Sequence, residues 1–157
     1  MADKYWVANK PDKVVSVVSE TAGASGIAAV DLGAIVKLTK TILYSEMADG
    51  GSTAGTFTFA ESIPAGAVFL RAVCIVGAGF AGDSSATMTI GDGTDVDRYS
   101  TGTPSVFATA AAGVDLGIPS GIANHSAAKA PVVTITAGSD FGDVSAGSVT
   151  VELYYIK

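Results

Sequence analysis

The stretch Gly147–Ile156 constrains this chain more than any other. Val149, Val151, Leu153 and Tyr155 fall on one side of an extended backbone, and Ser148, Thr150, Glu152 and Tyr154 on the other. Successive side chains of a strand leave opposite faces, so this alternation describes a strand with one face buried and one face wet. Only Lys157 follows Ile156, so the printed sequence closes inside a sheet. The same two-residue rhythm recurs upstream, separated by glycine-rich turns.

Ile35–Tyr44 fits both a helical face and an alternating strand. Its Ile, Val and Thr content favours the strand, because β-branched side chains are stiff in helices. Thr56–Phe59 sets two phenylalanines on one face, and Ile63–Gly66 reads as a turn. Val68–Val76, Ala86–Ile90 and Pro131–Thr136 are further strands, Ser105–Ala112 is a weak one, and Lys13–Val18 is a short candidate. Short strands joined by glycine-rich turns indicate a sandwich or barrel. The expected class is therefore all-β, an antiparallel β-sandwich over residues 51–157. Residues 1–50 form an N-terminal arm with one or two strands, bounded by the loop Ala48–Ala54.

Composition removes several classes of function. The formal net charge is -6, and the cations are scattered, which argues against a nucleic-acid partner. Charged residues are only 15% of the chain, below the usual quarter or so, and a small-residue, low-charge surface points to extensive subunit contact. The mean hydropathy of +0.45 comes from dispersed Ala and Val. The weakly polar stretch from Ala22 to Val36 is broken by Ser25, Asp31 and glycines, so no membrane span is expected. The first residues lack the apolar core of a signal peptide. Cys74 is the single cysteine and reads as a small buried hydrophobe.

Each motif with chemical associations has a plainer reading. Gly77–Gly82 matches the spacing of a dinucleotide-binding fingerprint after an apolar strand. That mechanism needs a helix opening at the last glycine, and Asp83–Gly91 reads instead as a turn and a Thr-alternating strand. A β-turn or connecting loop is expected there. Asp92, Asp95 and Asp97 offer clustered oxygens for calcium, but the EF-hand spacing and its terminal Glu are absent, so an Asx-rich turn is preferred. His125 is the lone histidine and has no evident nucleophile or zinc partners. Glu20, Glu46, Glu61 and Glu152 are far apart in sequence and suggest no carboxylate pair. No catalytic, cofactor-binding or metal residue is assigned. Tyr5, Trp6 and Val7 precede any periodic segment and are the candidate partner-binding residues, since aromatics bury much area at little entropic cost.

Several blocks together resemble small structural proteins of tailed-bacteriophage virions, in particular capsid decoration (cement) proteins and head-fibre bases. They are Asp3–Val7, Ser62–Arg71, Thr87–Gly91 with Asp95–Tyr99, and Ser145–Tyr155, and the core of the likeness spans residues 55–157. The resemblance implies a jelly-roll-like fold, commonly trimeric, seated on the major capsid protein. The protein would be made in the host cytoplasm, without cofactor, and placed on the virion surface. A tail or fibre component for host attachment and a carbohydrate-binding module using Tyr99, Tyr154 and Tyr155 remain as alternatives. An enzyme is disfavoured by the thin set of titratable groups.

Overall fold

The computed structural model describes residues 35–108, 114–115 and 125–157. In chain order the strands are β1 (Ile35–Leu43), β2 (Ala48–Asp49), β3 (Ala54–Thr58), β4 (Val68–Ala81), β5 (Ala86–Gly91), β6 (Val114–Asp115), β7 (Val132–Ala137) and β8 (Ala146–Ile156). They build two four-stranded antiparallel sheets. Sheet A has the order β1-β8-β4-β6, and sheet B the order β2-β3-β7-β5. From β3 onward, successive strands pass from one sheet to the other, so nearly every connection crosses the sandwich.

The alternation of β8 is realised residue by residue. Val149, Val151, Leu153 and Tyr155 are buried, and their alternates are half-buried on the outer face. In β1, Val36, Leu38 and Ile42 face inward, while Ile35, Lys37, Thr39, Thr41 and Leu43 face out. Sheet B contributes Met88, Ile90, Val133 and Ile135, all fully buried against the inner face of sheet A. One continuous core results, with Phe59, Phe69, Phe80, Tyr99, Phe141 and Tyr155 as its large aromatic members. Cys74 is completely buried inside it.

One sequence expectation needs correction and a second can be placed in part. The glycine-rich block does not form a loop, because β4 continues through it to Ala81. The glycines instead accommodate irregular pairing: the β4–β8 register shifts between Val76 and Ala78 and again between Ala78 and Ala81. At Gly77 a Cβ would press on the Ser148 hydroxyl, which accepts the Ala78 N–H at 3.1 Å. Bulges of this kind bend a strand and favour glycine. Gly82, at φ +113°, then turns the corner toward β5. Second, of the weak strand expected over Ser105–Ala112, Ser105 and Phe107 make isolated bridges to Thr87 and Phe80, and residues 109–112 lie outside the described residues. Val106 is fully buried, donates its N–H to Ala86, and accepts one from Phe80, so this segment laces the β5 edge to β4.

Ile35–Leu43, grouped by sequence with the arm, is paired along its full length with β8. The rest of the arm, including the candidate strand Lys13–Val18, lies outside the described residues.

Candidate interaction surfaces

The two outer faces differ in chemistry. Sheet B displays threonine: Thr56 pairs with Thr134, which pairs with Thr89, and Thr136 pairs with Thr87. Thr58 and Val132 extend the pattern at one end. Inward Gly55, Phe57, Val133, Ile135, Met88 and Ile90 alternate with these residues, which fixes the threonines outward. Cross-strand threonine pairs suit a pleated surface, and this one carries no charge. Sheet A presents a mixed face instead. Lys37, Tyr154 and Arg71 form one cross-strand row, and Thr39, Glu152 and Val73 the next. Glu152 accepts from Lys37 and, at 2.6 Å, from the Tyr154 hydroxyl, so its carboxyl is held below its ordinary range and the Lys37 ammonium above its own.

The ends of the sandwich consume most remaining polar groups. At one end Asp92 has a side chain only 2% exposed. Its Oδ1 accepts the N–H groups of Thr94 and Asp95, both at 2.9 Å. Its Oδ2 lies 3.0 Å from Arg98 Nε and 3.8 Å from Lys129 Nζ. Burial pushes this carboxyl up, but the two amides and two cations outweigh burial and hold it below normal. Asp97 moves the other way, raised by its neighbour Asp95. Gly91 makes the loop possible, because any Cβ there would collide with the backbone of Asp95 and Val96. At the opposite end Asp83 accepts N–H bonds from Ser84, Ser139 and Asp140, tying the β4–β5 corner to the β7–β8 loop. Those amide donors depress its pKa to about 2. Asp140 caps the adjacent 3-10 turn through Gly142 N–H at 2.9 Å, placing Phe141 over Gly55.

The residues singled out by sequence can now be placed. Asp92 turns inward to cations of its own chain, while Asp95 and Asp97 stay on the loop, which is the expected Asx-turn arrangement. Among the described residues no three acidic, histidine or cysteine side chains group to hold a metal. His125 Nε2 lies 2.6 Å from the hydroxyl of buried Tyr99, and its ring packs edge-on against that tyrosine. Burial and the Arg98 charge lower its pKa, and burial with the Asp92 charge raises that of Tyr99. The pair braces the loop Asp92–Arg98 against the sandwich. Tyr99 and Tyr155 are core residues, so the three tyrosines considered for a sugar-binding stripe do not share a face. Glu46 pairs with Lys40 and accepts the Leu43 N–H, on a different element from Glu61 and Glu152. A cavity of about 230 Å³ opens between β1 and β3, lined by Lys40, Phe57, Thr58, Phe59, Ala60 and Glu61. Tyr5, Trp6, Val7 and Glu20 lie outside the described residues. No described helix is long and apolar enough to cross a membrane.

Sequence reasoning missed the threonine face and the cation pair around Asp92. The alternating Thr residues of β3, β5 and β7 carried the first signal. For the second, Arg98 shares the loop of Asp92, but Lys129 gives no signal, being distant in sequence from the aspartate it approaches.

Comparison with known proteins agrees with the architecture. One chain in the structure described as "Cyanophage Pam1 capsid asymmetric unit" superposes with a TM-score of 0.58 at 16% identity, over 94% of this chain and 99% of its own. At that identity the likeness is one of fold. No family model matches the sequence. No curated protein matches it either.

Proposed function

We propose that this chain is a non-enzymatic structural protein of a tailed-phage virion, a decoration (cement) protein that binds and stabilises the head shell. The observation that carries this reading is where the polar groups go. The carboxylates of Asp49, Asp83, Asp92 and Asp140 and the ring of His125 are spent on turns, caps and brackets, while an uncharged threonine face is left outward. Fold likeness to a chain of a cyanophage capsid unit over nearly its whole length supports the same reading. The traffic of successive strands between two sheets supports a jelly-roll description of the sandwich.

In this account the protein is made in the host cytoplasm and assembles as a homotrimer on the capsid surface. Its partners are the major capsid protein and further copies of itself, with no nucleic acid, membrane or cofactor. The threonine face of sheet B lies against the shell, where small uncharged side chains permit close approach without desolvating charge. Residues 1–34 serve as an arm, with Tyr5, Trp6 and Val7 as its anchor. Co-sedimentation with shells of the accompanying major capsid protein tests the proposal. Saturable binding of the full chain that Trp6→Ala weakens is expected. A chain that stays in the supernatant, or pellets only with tails, contradicts it.

A further inference from the structure

Sheet edges are where strand proteins guard against pairing with neighbours, and among the described residues one edge has no cover. Among the described residues β2 and β6 are two residues long, and Pro104–Val106 covers β5 through bonds to Met88 and Ala86. β1 differs. It runs nine residues in unbroken register with β8, without proline, glycine or bulge. Every second residue of such a strand directs its N–H and C=O away from its one partner. Lysines commonly blunt an edge of this kind. Both lysines of β1 are instead drawn back onto their own molecule, Lys37 to Glu152 and Lys40 to Glu46. Ile35 and Leu43, at the two ends, are 67% and 47% exposed.

We propose that β1 is a self-complementary contact strand that pairs antiparallel with β1 of a second copy across a two-fold axis at Thr39. In that register Ile35 faces the partner's Leu43, so the two exposed apolar ends cover each other. Val36 faces Ile42, Lys37 faces Thr41, and Leu38 faces Lys40. Registers centred on Lys37 or Lys40 would set like charges opposite each other, and a one-residue slip would turn inward side chains out. The Thr39 register uses all nine residues and opposes no two lysines. It joins two copies of sheet A into one continuous sheet and extends the half-buried Val36 and Leu38 toward a second core. A single strand edge buries little area, so the contact is weak and fills where copies are crowded. It is independent of the shell reading, since purified protein suffices to test it.

The test uses the full chain carrying Thr39→Cys, with Ile75→Cys as an exposed control on β4. Mild oxidation at high concentration, read on a denaturing non-reducing gel, is expected to give a covalent dimer for Thr39→Cys. Neither the control nor the wild type, whose Cys74 is buried, should do so. Thr41→Lys places a lysine opposite the partner's Lys37 twice per contact, and Thr41→Glu places a carboxylate there. Sedimentation equilibrium should show the first weakening self-association about tenfold and the second strengthening it. Thr41 is exposed and its side chain shares one surface hydrogen bond, with the Thr150 hydroxyl at 2.8 Å, so both variants lose that bond alike and should melt close to wild type and to each other. A Thr39→Cys chain that does not cross-link, or Thr41 variants that shift association in the same direction or not at all, overturns the proposal.

Discussion

Sheets A and B share a core but treat their surroundings differently. Sheet B is short-stranded, covered at β5, closed over Gly55 by Phe141, and uniform in its outward threonines. Sheet A has strands of nine, fourteen and eleven residues, bulges in β4, an ion-paired outer face and, among the described residues, one regular uncovered edge. The difference teaches that the buried faces specify the fold while the outer faces are free to diverge. Contact function therefore has to be sought outside the sandwich, on surfaces that cost the core nothing to vary.

If the two sheets share one cooperative core, deep truncations in either should cost alike. Leu153→Ala in sheet A and Met88→Ala in sheet B should each lose ~2–5 kcal/mol in denaturant unfolding. A cheap loss in one sheet alone would mean that its face packs loosely. The next effect is at Asp92. Removing its carboxylate by Asp92→Ala takes the nearer partner from Arg98, leaves Lys129 only the Thr94 hydroxyl, and unbinds the Thr94 and Asp95 amides, for a loss of ~1–3 kcal/mol. The same change at a calcium site would instead abolish stabilisation by added calcium, which the wild type is not expected to show.

Acid should expose a further contrast between the ends. His125 is depressed below its ordinary 6.5, so the unfolded chain takes up that proton first, and stability falls as pH drops below about 6.5. Asp83 is depressed from 3.8 to about 2, so its contribution is present above pH 3.8 and is lost as pH falls toward 2. Melting temperature against pH should therefore step down twice, and His125→Gln should remove only the upper step. Smallest of all is the exposed Lys37–Glu152 pair. Lys37→Ala should leave the unfolding midpoint close to that of wild type, and closer still at high salt.

Legibility in the sequence followed the physics of each element. β8 is readable because one buried and one wet face force strict alternation, and Val149, Val151, Leu153 and Tyr155 are all buried. β1 was ambiguous by period and was decided by β-branching. The glycine-rich end of β4 misled because a bulged strand and a turn both recruit glycine. Ser105–Phe107 was nearly invisible, since a three-residue edge cover needs one buried Val106 rather than a pattern. The aspartate loop is legible as a turn with Arg98 in its own segment, but the approach of Lys129 is not, because a long-range ion pair leaves no local spacing.

The central claim is that this molecule acts through its outer surfaces while its titratable groups hold the fold. Measuring the saturable binding of the full chain to assembled capsid shells, for wild type, Thr134→Lys and His125→Gln side by side, tests it most directly. Thr134→Lys should keep its melting temperature and lose the shell, while His125→Gln should saturate as wild type does. Undiminished binding by Thr134→Lys together with its loss in His125→Gln would contradict the account.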